Sequence, residues 1–422
     1  MRIAMIVGHF PLLSETFVIN QIVGLIRRGH EVDIYTRRLG EQSKLHPEVI
    51  AYDLLKCTYL LPGKPTTLPG QLKRVVKTLL RQSLMDPFRL PRLIRVFWGS
   101  EGSLADRLMV AQAAVGRAPY DIVHCQFGTL GELGIAFQAV NSGKLVVSFR
   151  GHDISQYVQE QGEAVYNTLF SAADLCLTNC GFFQRRLLAM GCPAGQLKVL
   201  YSGLNPKQFP FQVRHFPEDG RVRIALTGRL VEKKGIPDAV QAVAQVAKTY
   251  PNLEFNIIGE GEQRPLLEAL IQELGMQEQI HLLGQKNQTE IVEILSRSHL
   301  FLAPSVTAAD GNQDAPVNVL KEAMAMGLPV ISTWHGGIPE LVQEGLSGFL
   351  VPERDPGALA ERLLDLIQHP ERWPEMGRAG RSFVERVFDL ETLNDELIRH
   401  YQKLLREDAL DALADPTPQP SA

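Results

Sequence analysis

No apolar run in this chain of 422 residues approaches the roughly 20 consecutive residues that cross a bilayer, so the sequence offers no helical membrane span. Cysteine is scarce: Cys57, Cys125, Cys176, Cys180 and Cys192 are odd in number, form no Cys-x-x-Cys pair and lie at no metal-ligand spacing from a histidine cluster. They read as buried thiols, not as a disulfide framework or a zinc site. There is no Asp-x-Asp triplet, so nothing in the sequence suggests a divalent cation clamped on a diphosphate, and no metal or cofactor is expected. A complete dinucleotide fingerprint is also missing. Gly259-x-Gly261 follows a strand-like run, but Arg264 stands where the last glycine would be, which sets nicotinamide chemistry aside. A net charge of −4 gives no reason to expect a nucleic-acid partner.

What the chain does have is hydrophobic material, 45% of its residues against 21% charged, enough for two ordinary α/β domains. Met1 leads directly into Arg2–Val7, which reads as a buried strand and not as a signal peptide, so a soluble cytoplasmic protein is expected. Short apolar, β-branched runs alternate with longer helical stretches: Arg2–Val7, Val32–Thr36, Asp121–Cys125, Leu145–Arg150, Leu175–Asn179 and Lys198–Tyr201. The rhythm repeats in Val222–Gly228, Glu254–Gly259, Ile280–Gly284, Leu300–Ser305, Pro329–Thr333 and Phe349–Pro352. Continuous apolar strands between helices predict parallel sheets covered on both faces, hence two doubly wound domains. The turn-rich stretch Gly203–Pro210 separates them. The expected organisation is a first domain over 1–205, a second domain over 206–388, a helix over 389–414 returning across both, and a disordered tail over 415–422.

Charge is divided unevenly. Residues 1–205 carry 22 Lys and Arg against 15 Asp and Glu, a balance of +7, whereas residues 206–422 stand at −11. Part of the excess lies in 71–100, where Lys73, Arg74, Lys77, Arg81, Arg89, Arg92 and Arg95 face a single acid, Asp86. Apolar residues recur there at helical spacing, among them Leu72, Val75, Val76, Leu79 and Leu80. This segment reads either as an interfacial helix pair on anionic lipid or as a helical insertion packed on the first domain with a solvated basic face.

Two constellations carry chemistry. In Gly228-Arg229-Leu230-Val231-Glu232-Lys233-Lys234-Gly235 the strand ends and a helix opens, the place where doubly wound folds bind ligands. Arg229 offers a bidentate fork and Lys234 a compact charge, complementary means of neutralising a diphosphate; a solvated basic turn is the plain alternative. The second runs from Asp314 through Val317 and Asn318 to Glu322, two carboxylates eight residues apart that bracket the start of a helix ending at Gly327. Carboxylates there are poor phosphate ligands but good acceptors for sugar hydroxyls, so Asp314 and Glu322 are expected to grip the hexose and the ribose.

Together with Ile257-Ile258-Gly259-Glu260-Gly261 and Gly336-Gly337-Ile338-Pro339-Glu340, these motifs fall in an order that resembles the retaining family 4 glycosyltransferases of the GT-B fold, two Rossmann-like doubly wound domains facing across a cleft. The resemblance implies that Arg229 and Lys234 hold the donor diphosphate, that Glu322 binds the ribose, and that Asp314 stands where the family has the first Glu of Glu-x7-Glu. It further implies that a helix opening at Gly336 and Gly337 presents backbone amides to the donor, and that Gly259, Gly261 and Leu283 border the base. His152 matches the histidine that the family places near the reacting sugar, whereas Asp153 beside it reads as structural. On the acceptor side the resemblance points to His9, Phe10, Ser14 and Glu15 in a segment like that of exopolysaccharide and colanic-acid-type transferases, with Phe127, Gly128 and Arg150 at the strand ends nearby. The implied substrates are a UDP- or GDP-sugar and a glycan or polyprenyl-diphosphate-linked acceptor, joined at the inner face of the plasma membrane.

Three other classes share some of these features. A sugar-nucleotide epimerase of the same architecture would bind the same donor, and a non-catalytic glycan-binding subunit would explain Asp in place of Glu. A glycoside hydrolase would use paired carboxylates roughly 5–10 Å apart but has no need of Arg229 and Lys234.

Overall fold

The structure, a computed structural model, describes residues 1–12, 15–41, 45–63, 67–85, 91, 94, 104–114, 117–314 and 317–414. Ser14, Ala315-Pro316, the tail from Asp415 and most of 86–103 lie outside the described residues.

The first unit is built from β1 (Arg2–Phe10), α1 (Thr16–Arg27), β2 (Glu31–Leu39), α2 (Pro47–Ala51), β3 (Thr58–Leu60), α3 (Leu68–Met85), α4 (Leu104–Ala114), β4 (Ile122–Cys125), α5 (Gly131–Asn141), β5 (Lys144–Phe149), α6 (Gln156–Gln161), α7 (Asn167–Ala172), β6 (Leu175–Thr178), α8 (Gly181–Ala189) and β7 (Leu197–Val199). Its seven strands run parallel in the order β3-β2-β1-β4-β5-β6-β7. Ile3, Met5 and Val7 point to the α1 side of the sheet and Ala4 and Ile6 to the α5 side, each row buried, which is why these strands read as unbroken apolar runs.

The second unit follows with β8 (Val222–Thr227), α9 (Ile236–Ala247), β9 (Leu253–Ile258), α10 (Arg264–Glu273), β10 (Ile280–Leu282), α11 (Gln288–Arg297), β11 (Leu300–Ala303), α12 (Asn318–Ala325), β12 (Val330–Thr333), β13 (Gly348–Val351), α13 (Pro356–Gln368) and α14 (Trp373–Val387). Its six parallel strands are ordered β10-β9-β8-β11-β12-β13. In both sheets the winding reverses beside the first strand, between β1 and β4 and between β8 and β11. At such switch points the loops diverge and leave a crevice at the carboxyl ends of the strands.

The final helix, α15 (Leu390–Ala414), returns to the first sheet. Leu393, Leu397 and Tyr401 enter the core formed by α1 and β1, and Gly24 of α1 gives Asn394 room that a β-carbon would fill. Tyr401 Oη bonds His124 Nδ1 at 2.6 Å, and His124 Nε2 meets Ser148 Oγ at 2.8 Å. Burial pushes this imidazole down to about 3, so it stays neutral as a structural link.

All twelve expected strands are present with shifted ends, and the thirteenth, β3, was not anticipated. It is three residues long and pairs only with β2, too short for a hydrophobic period to register. The five cysteines are free, four of them buried. In its described part the basic segment packs on the first unit. Val75 and Leu79 of α3 pack with Leu104, Leu108 and Ala111 of α4 and Thr78 is buried, while Leu72, Val76, Leu80 and Leu84 remain exposed. Among the described residues no helix is long and apolar enough to cross a membrane.

Candidate functional site

The loop leaving β8 is held by backbone contacts that leave no space for side chains. Gly228 N donates to Ile258 O at 2.9 Å and Leu230 N to Glu260 O at 3.0 Å. A β-carbon on Gly259 would collide with the Gly228 carbonyl, and one on Gly261 with that of Leu230. Gly259 also has φ +148, a conformation costly for other residues. These two glycines thus act as a bed for the Arg229 loop, a physical reason for a Gly-x-Gly that is not a dinucleotide fingerprint. Gly235, at φ +59, lies against the Pro304 carbonyl, and Val306 N donates to Lys233 O at 2.9 Å. The β8 and β11 loops are thereby pinned together across the switch point.

That pinning brings the Lys233-Lys234 pair onto Asp314. Lys234 Nζ lies 2.7 Å from Asp314 Oδ2 and Lys233 Nζ 3.1 Å from Oδ1, while Ser305 Oγ donates to Oδ2 at 3.0 Å. Burial alone would raise the Asp314 carboxyl, but the two ammonium groups overcome it and hold the group well below the usual carboxylate range. Burial likewise pulls Lys233 below its ordinary value, with Asp314 opposing. A carboxylate has about four acceptor positions and three are in use here. Asp314 therefore organises the two cations, a contact the sequence did not suggest.

The Asp314 main chain is fixed as well. Its N–H donates to His335 Nε2 at 2.9 Å, so that nitrogen is unprotonated and Nδ1 carries the hydrogen, 2.7 Å from Glu353 Oε1. Glu353 in turn accepts from Thr307 N at 2.7 Å. Gly336, at φ +52, accommodates the Asp314 carbonyl where a β-carbon would clash. The expected helix at Gly336 and Gly337 is a single 3₁₀ turn, Ile338–Glu340, that ends at Leu341. The N–H groups of Gly336 and Gly337 nonetheless have no hydrogen-bond partner among the described residues.

Two further groups are unpartnered. Arg229 is exposed, and its guanidinium makes no hydrogen bond or ion pair among the described residues. Glu322, in the second turn of α12, is half-buried and accepts no hydrogen bond among the described residues; burial pushes its carboxyl up to about 7, with Lys321 opposing. Val317 and Asn318 open the same helix, and Asn318 Oδ1 accepts from Lys321 Nζ at 3.1 Å. Leu283 continues from β10, its N–H on Ile257 O at 2.9 Å.

Across the cleft, His152 is exposed at the start of a 3₁₀ turn that follows β5. Asp153 is buried and accepts from the N–H groups of Gly128, Arg150 and Gly151, each at 2.9 Å, which shapes the turn that displays His152. The Asp314 loop meets this turn directly: Gln313 N donates to Ser155 Oγ at 3.3 Å and accepts Arg186 Nη1 on its side chain at 3.0 Å, and Asn312 Nδ2 reaches Gln156 Oε1 at 3.3 Å. Nearby, Glu340 accepts from Gly181 N and Phe182 N at 2.8 and 2.7 Å, capping α8 from the opposite unit.

The acceptor-side expectations need correction at two residues. β1 extends through Phe10, whose ring is buried in the core beneath α1 and does not face the cleft, so only His9 of that pair is exposed. Gly128 is buried, its amide is used by Asp153, and a β-carbon there would collide with Phe149, so it shapes the loop and offers no contact. Phe127 stacks edge-on against Phe17 at 6.2 Å, and the Arg150 guanidinium lies 4.4 Å from the centre of the same Phe17 ring while bonding Gln126 and Ser202. Glu15 precedes α1; burial raises its carboxyl and Arg150 opposes the rise. Sequence reasoning passed over Lys233, Ser305, His335 and Glu353. The Lys-Lys doublet and a histidine directly before Gly-Gly were the only signals available.

Comparison with known proteins follows the same division. Residues 14–203 match the glycosyl transferase 4-like domain and residues 209–383 match glycosyl transferases group 1. The chain is 34% identical over 402 residues to the amylovoran biosynthesis glycosyltransferase AmsK of Erwinia amylovora, across 92% of this chain and 96% of that protein. It is 33% identical over 417 residues to WcaL of Escherichia coli strain K12, named for colanic acid biosynthesis, across 96% of this chain and all of WcaL. Anabaena Alr3699/HepE in complex with UDP and glucose shares the fold, with a TM-score of 0.69 at 19% identity over 96% of this chain and 100% of that one.

Proposed function

Because the chain belongs to the family 4 glycosyltransferases of the GT-B fold, we propose that it moves a hexose from a UDP- or GDP-sugar to a hydroxyl of a glycan or polyprenyl-diphosphate-linked acceptor. The setting would be exopolysaccharide or cell-surface polysaccharide synthesis, in line with the amylovoran and colanic acid biosynthesis for which AmsK and WcaL are named, and the proposed place of reaction is the cytoplasmic face of the membrane.

The observation that carries this reading is a set of groups at the carboxyl ends of β8, β11 and β12 that have no partner among the described residues: the Arg229 guanidinium, the Glu322 carboxyl and the amides of Gly336 and Gly337. Unpaired polar groups are costly at a protein surface that has to close, and a bound nucleotide sugar satisfies all of them. Arg229, Lys234 and the two amides would hold the diphosphate, Glu322 the ribose hydroxyls, and Gly259, Gly261 and Leu283 the border of the base. The anomeric carbon would then lie toward His152, whose imidazole donates a hydrogen bond to the donor sugar. The acceptor oxygen bonds to that carbon as its bond to the diphosphate breaks, on the same face. The acceptor proton passes to the departing phosphate oxygen, and Arg229 and Lys234 neutralise the charge that develops. With the Asp314 loop against the His152 turn, the cleft excludes water from the donor.

The test is release of nucleoside diphosphate by the purified protein from a panel of UDP- and GDP-hexoses, with and without glycan acceptors, and the anomeric configuration of the product. Acceptor-dependent release with retention is expected. Turnover to an epimeric sugar without acceptor would replace this reading with the epimerase.

A further inference from the structure

We propose that α3 (Leu68–Met85) is a docking surface for an anionic lipid bilayer. The inference goes beyond the transfer reaction, since it would hold for a chain of this structure whatever the cleft binds.

Helical geometry divides α3 into three faces. Residues four apart drift by only about 40° around a helix, so Leu72, Val76, Leu80 and Leu84 form one slowly turning stripe. They are 66%, 49%, 60% and 86% exposed, a run of large apolar side chains facing away from the protein. On the other side Val75 and Leu79 pack against α4 and Thr78 is buried, so the helix is anchored and its stripe is not simply a core face awaiting a neighbour. The third face carries Lys73, Lys77 and Arg81, which overlap the end of the stripe, and no acidic residue occurs anywhere in the helix.

Apolar side chains beside cations, with no acid among them, fit one kind of partner. The stripe enters the acyl boundary while the ammonium and guanidinium groups remain with the lipid phosphates. Long basic side chains can do both, burying their stems and keeping the charge at the headgroups. An acidic protein groove would match the charge, but an exposed apolar stripe of four residues is better matched by a bilayer, which has no fixed shape to complement. The placement also has a use. α3 follows the carboxyl end of β3, the edge from which the Phe127, Arg150 and His152 loops rise, and Arg74 Nη1 donates to Gly63 O at 2.5 Å to tie the helix to that edge. A lipid-linked acceptor would then be presented on the acceptor side of the cleft, a consequence that rests on the proposed function although the docking itself does not.

The test is flotation of the full-length protein with vesicles of phosphatidylcholine alone or mixed with phosphatidylglycerol. Two variants accompany it, Lys73→Gln/Lys77→Gln/Arg81→Gln and Leu72→Ser/Leu80→Ser/Leu84→Ser, with Arg74 left in place because it holds the helix. The wild type should float with the mixed vesicles, less so at high salt, and not with phosphatidylcholine alone. Each cation near an anionic surface strengthens partitioning roughly five-fold, so the charge variant should bind on the order of a hundred-fold more weakly. Its cations are on the surface, so its thermal midpoint should match the wild type. Equal flotation of either folded variant, or none by the wild type, would overturn the proposal. So would a wild-type dimer that the leucine variant converts to monomer, since a second copy would then cover the stripe. Failure of flotation with sugar transfer to a water-soluble acceptor intact would refute the docking alone.

Discussion

Replacing Asp314 by Asn removes one negative charge and keeps the shape of the side chain, which isolates the electrostatic part of the site. In the wild type the carboxylate faces Lys234 at 2.7 Å and Lys233 at 3.1 Å, and its side chain is 7% exposed. Asn presents an amide that offers one acceptor oxygen and two N–H donors, so at least one ammonium group faces a donor or nothing. Removing one partner of a buried ion pair costs about 3–5 kcal/mol. The lysines keep a small exposed fraction, 12% and 17%, which places the expected loss near the lower end, about 3 kcal/mol. For domains of this size that corresponds to a fall of roughly 6–12 °C in thermal midpoint. A nucleoside diphosphate should act in the opposite direction. With the counter-charge gone, two cations compete for the diphosphate, and the ligand-induced rise in midpoint should be larger in the variant than in the wild type. Differential scanning fluorimetry with and without UDP and GDP reads both quantities. A midpoint within about one degree of wild type, together with an unchanged ligand shift, would refute the ion-pair account of this site.

Glu322 yields a prediction with a definite sign. Its carboxyl titrates at about 7 in the folded protein against an ordinary value of 4.5. Between those values the folded state binds a proton that the unfolded chain does not, so this group's contribution makes stability fall as pH rises from about 4.5 to 7. Glu322→Gln should remove that part of the slope in thermal melts, and nucleotide affinity, which needs the ionised form for the ribose hydroxyls, should strengthen through pH 7 only in the wild type. A variant whose melts and affinity track the wild type across this range would contradict the assignment. Glu340→Gln keeps one of two acceptor oxygens at the α8 N-terminus and should weaken a contact between the two units by about 1.5–3 kcal/mol. Faster hydrogen exchange at the Gly181 and Phe182 amides is the expected signature, and unchanged protection would show that the contact does not hold the cleft closed.

Much of the fold was legible because parallel strands buried on both faces leave continuous apolar runs, as in Arg2–Val7 and Leu300–Ser305. β3 escaped because three residues on a sheet edge carry no such run. At the site, Arg229, Lys234 and Glu322 were legible as residue types at meaningful positions after strands. Their neighbours were not, because Asp314, His335 and Glu353 meet through loops that converge only in space. Phe10 shows the reverse error: placed by motif on the acceptor side, it belongs to a strand three residues longer than the apolar run Arg2–Val7 suggested. Gly259 and Gly261 were read as a border of the base, while the structure adds that they exist to let the Arg229 loop pass close by.

The central claim is that a donor diphosphate is held at the second switch point by Arg229 and Lys234. Isothermal titration of UDP and GDP into the wild type, Arg229→Ala and Lys234→Ala tests it most directly, and Arg229→Ala most cleanly, since that guanidinium has no partner among the described residues whose loss could disturb the fold. The account predicts affinity lower by roughly ten-fold or more in each variant, with melting of the unliganded Arg229→Ala protein unchanged. Wild-type affinity and donor turnover in both variants would contradict it.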